Sequence, residues 1–231
     1  MITCRIVLHG NLADLVRGRR EVVRELPGPT SIKDAVEALG IPHVEIGLPS
    51  DLSARVTDGA VLHIHPAADQ ELAHPRFVCD LHLGKLVRLL RFCGFDTRWN
   101  HTWRESALAR IAAREGRTVL SRHRALLKRS AVTSGMLIRS DHADAQFGEV
   151  LRRFQLAARV TRPGRCAACN GLLVATAKAD VPVAIPPRTA AWRDQYWLCA
   201  GCGQLFWDGT HVERLRARVA RAIATAGNDA P

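Results

Sequence analysis

The sequence lacks any run of roughly 18 consecutive apolar residues, the shortest stretch that spans a bilayer as a helix, so no membrane-spanning helix and no membrane partner are expected. Its first ten residues, MITCRIVLHG, also lack the apolar core and the small-residue cleavage site of a secretory signal. We therefore expect a cytoplasmic protein whose cysteines stay reduced. Internal repeats and low-complexity stretches are missing as well, so a repeat architecture is not expected.

Lysine is scarce: the 33 basic residues comprise 29 arginines and only 4 lysines. The net charge is +11, and positions 76–160 carry most of it, with 17 basic and 7 acidic residues. Positions 1–75 carry instead 7 basic and 10 acidic residues. Since guanidinium groups suit phosphate, this local excess indicates a polyanionic partner, with solvation of helix faces as the alternative. Apolar residues make up 47% of the chain, which excludes global disorder.

Three segments with different patterns follow one another. Residues 1–70 show the order strand, strand, helix, strand, strand, with Thr30 or Ser31 as the helix cap, and this order resembles a ubiquitin-like β-grasp domain. Residues 75–160 alternate strands and helices with short connections, which predicts a parallel sheet covered by helices. Residues 161–226 contain two cysteine pairs and a terminal helix rich in arginine and alanine. The predicted fold class is therefore α/β, flanked by two smaller units.

Two CxxC pairs separated by 29 residues predict a structural zinc site. The four expected ligands are Cys166, Cys169, Cys199 and Cys202. Four thiolates complete a closed tetrahedral shell around Zn²⁺, which leaves no position for catalysis. Asn170, Gly171 and Gly203 follow the pairs, and small residues there let backbone amides turn back towards the sulfur atoms. The alternative is a pair of independent redox CxxC motifs.

Acidic residues accompany the predicted strand ends of the middle segment. In open α/β sheets, ligand sites gather at the carboxyl ends of the strands. Carboxylates that meet there repel one another unless a divalent cation neutralises them, and Mg²⁺ or Mn²⁺ with oxygen ligands is the natural choice. Such a cation activates water for phosphodiester hydrolysis. The alternative is that acids at helix N-termini only complement the helix dipole. Asp80 ends the first predicted strand of this segment, Asp96 starts the second, and Glu105 opens a helix. His123 and Asp141 follow the third and fourth predicted strands.

Five segments of the chain together resemble the Mut-seven C-terminal RNase family, a PIN-like nuclease domain followed by a zinc ribbon. They read FVCDLHLGKLVRLLRFCGFDT, EGRTVLSRHRALLKR, AQFGEVLRRF, RCAACNGLL and CGQLFWDGTH. The N-terminal segments HGNLADLV and GPTSIKDAVEALGIPHVEIG resemble the ubiquitin-like domain that is often fused in front of that family. The resemblance implies a PIN-like parallel-sheet domain and a divalent-metal-dependent endoribonuclease. Its substrate would be single-stranded or structured RNA, with tRNA and rRNA both left open.

The resemblance also implies roles for individual residues. Asp80 matches the first family acid, Asp96 the acid of the Gly-aromatic-Asp motif, and Glu105 an Asp that opens a helix. The expected catalytic residues are Asp80, Asp96, Glu105, His123 and Asp141. The expected Mg²⁺ or Mn²⁺ ligands are Asp80, Glu105 and Asp141. His123 stands where the family pattern Thr-Arg-Asp-Arg has its acid, so the alternative is an RNA-binding protein with attenuated catalysis. A third hypothesis is an adaptor that docks a protein partner through residues 1–70.

RNA contacts are expected from the basic and aromatic residues. The basic candidates are Lys85, Arg88, Arg122, Arg124 and Lys128. The third segment concentrates aromatic residues that either stack on bases or pack the small ribbon core. These are Trp192, Tyr196, Trp197 and Trp207.

Overall fold

The computed structural model describes residues 1–161 and 164–228, and the chain forms two compact units. Unit 1 consists of Met1–Asp69 with Trp103–Ile138, and unit 2 consists of Gln70–Thr102 with the described residues from Arg139 onward. The segment predicted at 75–160 therefore contributes to both units. The three sequence boundaries at 1–70, 75–160 and 161–226 stay predictions.

The secondary structure alternates between strands and helices. Its strands are β1 (Ile2–Leu8), β2 (Glu21–Leu26), β3 (Ile46–Leu48), β4 (Val61–Pro66), β5 (Arg76–Cys79), β6 (Asp96–Arg98), β7 (Thr118–Ser121), β8 (Gly135–Leu137), β9 (Leu173–Ala177), β10 (Gln195–Cys199) and β11 (Leu205–Trp207). Its α-helices are α1 (Ile32–Glu37), α2 (Gly84–Phe92), α3 (Glu105–Glu115), α4 (Arg124–Leu127), α5 (Ala143–Arg153), α6 (Pro187–Ala190) and α7 (Thr210–Asn228). Short 3₁₀ turns lie at Gly10–Val16, His43–Glu45, Leu81–Leu83, Ala157–Arg159 and Lys178–Asp180.

The N-terminal part of unit 1 is a four-stranded mixed sheet in the order β2-β1-β4-β3. The central strands β1 and β4 run parallel, while β2 and β3 pair antiparallel at the edges. Helix α1 starts after Ser31, whose Oγ accepts a hydrogen bond from the amide of Asp34 at 3.0 Å. Ile32, Ala35 and Val36 form the buried face of this helix. The predicted β-grasp pattern is therefore present.

The rest of unit 1 contains two parallel strands with helices between them. Strands β7 and β8 pair in parallel, with Leu120 opposite Met136. All four residues of β7 are buried, as expected for a central strand covered on both faces. Helix α3 ends at Gly116, which adopts a left-handed conformation with φ of 59°. Helix α4 is a single turn, because the following residues 129–134 (RSAVTS) include serine and β-branched residues that favour helix poorly.

Hydrogen bonds join the two parts of unit 1. The buried side chain of Glu45 accepts a hydrogen bond from the amide of Leu137 in β8 at 2.7 Å. His43 Nε2 lies 2.8 Å from the carbonyl oxygen of Val132. Residues 1–69 are therefore packed on residues 103–138 through polar groups that reach the backbone directly.

Unit 2 begins with the parallel pair β5 and β6, in which Phe77 lies opposite Thr97. Helix α2 follows β5 and buries its apolar face, formed by Leu86, Val87, Leu89 and Leu90. The described C-terminal residues add an antiparallel three-stranded sheet in the order β11-β10-β9 and helix α7, which packs on α5. The parallel pairs, the ubiquitin-like sheet and the small cysteine-bearing sheet together confirm the predicted α/β class.

Candidate functional site

Asp80 occupies a fixed turn at the carboxyl end of β5. It is buried, and its Oδ1 accepts a hydrogen bond from the amide of His82 at 2.9 Å. Trp99 Nε1 donates to the carbonyl oxygen of Asp80 at 3.1 Å. The same indole lies against Gly84, where an added Cβ would come within 3.1 Å of the ring. The carboxylate of Asp80 is therefore held by the backbone around it rather than left on a mobile loop.

The thiol next to Asp80 is not a nucleophile. Cys79 is fully buried, and burial, reinforced by the negative charge of Asp80, raises the pKa of the Cys79 thiol. The thiolate is the reactive form of cysteine. Cys79 therefore acts as an apolar core residue.

Arg91 is a buried cation that sequence reasoning missed. Its Nε donates to the carbonyl oxygen of Thr97 at 2.9 Å, and its Nη1 donates to those of Ala167 and Ala168 at 2.8 and 2.9 Å. Burial lowers the pKa of Arg91, although nearby thiols oppose that shift. The sequence feature that could have revealed Arg91 is an arginine within the apolar pattern of α2. Arg91 fastens this helix to β6 and to the first cysteine pair.

Asp96 lies at the opposite end of the strand pair from Asp80. It is the first residue of β6 and pairs with Arg76, the first residue of β5, whereas Asp80 follows the last residue of β5. Four strand residues separate these two levels by about 13 Å. Asp96 Oδ1 accepts a hydrogen bond from Asn170 Nδ2 at 2.7 Å, and Arg76 Nε lies 3.6 Å from Oδ2. Asp80 and Asp96 are thus not brought together, and Asp96 holds the cysteine-bearing segment.

Glu105 and His123 meet each other in unit 1. Glu105 opens α3, and His123 follows the carboxyl end of β7, where its amide donates to Ser121 Oγ at 2.8 Å. The imidazole Nδ1 of His123 is hydrogen-bonded to Glu105 Oε1. The side chain of Glu105 is 33% exposed and that of His123 61% exposed, so solvent reaches both. The histidine that replaces the expected acid therefore engages one of the other predicted ligands.

Asp141 lies in an exposed loop of unit 2 that α5 holds in place. The amides of Arg139 and Ser140 donate to the two carboxylate oxygens of Glu149 at 3.0 and 2.8 Å. Asp144, the next acidic residue along the chain, forms an ion pair with Arg218 of α7 through two nitrogen atoms at 2.6 and 3.0 Å. Asp141 is the predicted metal ligand of this loop, and that role stays a prediction.

The five basic candidates for RNA binding fall into two groups. Lys85 and Arg88 are exposed on α2, and Arg122 is exposed at the end of β7. Arg124 Nη1 instead donates to the carbonyl oxygen of Leu15 at 2.9 Å, and Lys128 Nζ donates to that of Glu37. Arg124 and Lys128 thus bind residues 1–69 of the same unit.

The four predicted zinc ligands lie together in unit 2. Their sulfur atoms are all within 4.8 Å of one another. Cys166 Sγ lies 3.7 Å from Cys202 Sγ, and Cys169 Sγ lies 3.3 Å from Cys199 Sγ. A tetrahedral shell with Zn–S bonds of about 2.3 Å requires sulfur separations of about 3.8 Å. The donor set and its spacing therefore fit a structural Zn²⁺.

Backbone amides prepare these sulfur atoms for a metal. The amides of Gly171 and Gly201 donate to Cys169 Sγ at 3.4 Å and to Cys199 Sγ at 3.3 Å. Burial raises the pKa of Cys199, but hydrogen bonds from the amides of Cys202 and Gly201 outweigh it and lower the pKa to about 7. Burial raises the pKa of Cys166 to about 12. Zinc binding must therefore displace at least the proton of Cys166 at neutral pH.

Comparison with known proteins identifies the family. The chain matches the Mut7-C RNAse domain over residues 75–219 and the Mut7-C ubiquitin domain over residues 1–71. It belongs to the Mut7-C RNAse domain family. The resemblance inferred from sequence motifs is thereby confirmed, including the order of the ubiquitin-like and RNAse domains. Neither a curated protein nor a solved structure showed significant similarity to the chain.

The Mut7-C assignment indicates an RNA-related or nuclease role. The matched RNAse domain has residues in both units, and each unit carries candidate acids of this domain at strand or helix ends. The four cysteines lie inside the matched range. Within the part of the chain that the structure describes, no helix is both long and apolar enough to cross a membrane.

Proposed function

We propose that this Mut7-C protein is a divalent-metal-dependent endoribonuclease of the PIN type that acts on single-stranded or structured RNA. The observation that carries the proposal is Asp80, a buried carboxylate at the carboxyl end of a parallel strand pair in an RNAse-family domain. Ligand sites of open α/β sheets lie at that end. The hydrogen bond from the His82 amide orients the carboxylate group, and the hydrogen bond from Trp99 holds the backbone of Asp80, before any substrate binds.

The chemistry of Asp80 fits a hard cation, since Mg²⁺ and Mn²⁺ take carboxylate oxygens as ligands. When bound, such a cation lowers the pKa of a water molecule and neutralises charge on the attacked phosphate. Asp80 would hold the cation, while the exposed Lys85, Arg88 and Arg122 would contact the RNA backbone. Asp141 is a further candidate oxygen ligand.

Cleavage of a labelled single-stranded RNA with Mg²⁺ or Mn²⁺ tests the proposal. Asp80→Asn keeps the size of the side chain and removes its charge, so cleavage should fall by about 100-fold or more. Asp194→Asn is the matched control, because the Asp194 side chain is 96% exposed and its contact with Lys178 is 3.8 Å long. Equal cleavage by the wild type and Asp80→Asn would remove Asp80 from the mechanism. Parallel assays with tRNA and rRNA fragments rank the substrates.

The contact between His123 and Glu105 favours a second candidate function, an RNA-binding protein with attenuated catalysis. A neutral imidazole is a poor Mg²⁺ ligand and brings one negative charge fewer than the aspartate that the family pattern expects. Glu105 is moreover engaged by this imidazole. Salt-dependent RNA binding without turnover by the wild type, together with increased cleavage by His123→Asp, would support this second function. Full cleavage by the wild type would contradict it.

A further inference from the structure

Unit 2 contains a cavity of about 560 Å³ that the candidate catalytic residues do not use. Its walls come from α2, the cysteine-bearing sheet and α7, and they include Phe92, Trp197 and Phe206. Small-molecule sites typically occupy 300–1,000 Å³ and are mostly apolar, so this cavity has the size and character of a ligand pocket.

The aromatic wall is built by strand register. Trp197 of β10 lies directly opposite Phe206 of β11, so the two side chains are neighbours on one face of the sheet. Both are only half-buried and therefore present ring surface to the cavity. Tyr196, the adjacent residue in β10, is fully buried and donates from its hydroxyl to the carbonyl oxygen of Arg193 at 2.8 Å. Tyr196 thus supports the sheet, while its neighbour Trp197 faces the cavity.

The rim of the cavity is positively charged. Lys85 and Arg88 line it from α2, three residues apart on one helix face, and both are exposed. Two other rim arginines already have acidic partners. These are Arg216, bound to Asp208, and Arg218, bound to Asp144. An apolar, aromatic cavity with cations at its rim complements a ligand that joins a planar ring to an anionic group.

We propose that this cavity receives an unstacked base of single-stranded RNA, while Lys85 and Arg88 contact the phosphates beside it. The inference rests on the proposed RNA function and names a binding subsite for it. Bases of single-stranded RNA stack on aromatic side chains, and lysine and arginine bind the flanking backbone. Double-stranded RNA keeps its bases stacked and cannot fill the cavity.

Fluorescence anisotropy with a short fluorescein-labelled oligouridylate and the full-length protein tests the subsite, with divalent metal omitted to prevent cleavage. A second oligonucleotide has the same backbone but lacks bases at its central nucleotides. Because stacking contributes roughly 1–3 kcal/mol per base, the abasic probe should bind about tenfold more weakly. Val212→Trp, which adds volume at a half-buried cavity position, should remove this difference. Trp192→Ala should preserve it, because Trp192 is 82% exposed and lies outside the cavity.

The outcomes separate the subsite from the ribonuclease proposal. Equal affinity for the two probes, or a base-dependent affinity that Val212→Trp leaves unchanged, overturns the subsite. Loss of affinity on Lys85→Glu and Arg88→Glu with no dependence on the base indicates a phosphate surface alone and also overturns it. Base-dependent binding without cleavage supports the subsite and contradicts the ribonuclease. Cleavage that Asp80→Asn abolishes, with KM unaffected by Val212→Trp, supports the ribonuclease and contradicts the subsite.

Discussion

Gly171 lies where the sulfur atoms of Cys199 and Cys169 leave no room for a side chain. An added Cβ would come within 2.8 Å of Cys199 Sγ and within 3.2 Å of Cys169 Sγ. Asn170, just before it, adopts a left-handed backbone conformation with φ of 71°. The chain thus turns tightly enough for the Gly171 amide to donate to Cys169 Sγ. At this position the requirement is the absence of a side chain.

Gly171→Ala should weaken zinc binding, because the added methyl group must displace a ligand sulfur. We expect zinc affinity to fall by at least about tenfold, as measured by competition with a coloured chelator. Gly148→Ala in α5 is the control, since no atom lies within 4 Å of its added Cβ. Helix propensity predicts that this control stabilises the protein by up to about 1 kcal/mol. Unchanged zinc affinity in Gly171→Ala would contradict the packing argument.

Three histidines meet beside β1 and β4 of the ubiquitin-like sheet. His9 Nε2 lies 3.0 Å from His63 Nδ1, and the His9 ring stacks on His65 with centroids 4.0 Å apart. Partial burial, and then the positive charges that His65 and His63 acquire on protonation, lower the pKa of His9. The folded protein therefore favours neutral His9 at pH values where the unfolded chain, with a pKa of about 6.5, takes up a proton.

The lowered pKa of His9 predicts stability that rises with pH. Below about pH 6.5 the unfolded state binds more protons, so this contribution is present at neutral pH and decreases on acidification. NMR titration should give His9 a midpoint below the value of about 6.5 of an unperturbed imidazole. His9→Gln should reduce the dependence of Tm on pH between about 5 and 7, and His74→Gln, at an exposed position, is the control. A His9 midpoint at or above about 6.5 would contradict the prediction.

At the scale of elements, strand direction decides what an acidic residue is near. Asp80 follows the last residue of β5, whereas Asp96 is the first residue of β6. Because β5 and β6 run parallel, these two positions lie at opposite edges of the strand pair. Asp96 therefore accepts a hydrogen bond from Asn170 and supports the cysteine-bearing segment.

Element positions could be read from the sequence more reliably than their partners. Thr30 or Ser31 was expected to cap the first helix, and Ser31 caps α1. The contacts of Arg124 and Lys128 with residues 1–69 had no local signal, since they depend on packing between segments distant in sequence.

Glu45 illustrates this kind of contact and supplies a prediction. Its buried carboxylate accepts from the amide of Leu137. Glu45→Ala leaves that amide without this acceptor, so the free energy of unfolding should fall by about 1–3 kcal/mol in urea titrations. Glu21→Ala is the control, because its side chain is 53% exposed and its ion pair with Arg5 is 3.5 Å long. That pair should contribute less than about 1 kcal/mol. Equal losses in the two variants would contradict the assigned role.

At the scale of the whole molecule, the cysteine-bearing part has little core of its own. Among the described residues of 164–207, only Cys166, Tyr196 and Cys199 are buried. Arg91 and Asn170 tie this part to α2 and β6. Metal binding should therefore supply much of its folding free energy.

Removing zinc with a chelator should unfold the cysteine-bearing sheet. We expect faster proteolysis between residues 164 and 207, while the ubiquitin-like sheet stays protected. Because zinc binding displaces thiol protons, zinc affinity should decrease as pH falls below about 7. Mass spectrometry of the proteolytic fragments and measurement of zinc content across pH provide the check. Unchanged proteolysis after complete zinc loss would contradict a structural role.

Local spacing and residue chemistry were sufficient for the α/β class, the ubiquitin-like pattern, the clustering of the four cysteines and the family. Each of these features depends on residues that are close along the chain, or on cysteines whose spacing is recognisable in the sequence. Tertiary structure decided that Asp96 braces the ribbon, that His123 engages Glu105, and that Arg124 binds residues 1–69. It also placed Lys85 and Arg88 at the rim of an aromatic cavity. Such outcomes depend on strand direction and on packing between distant segments, which no local pattern encodes.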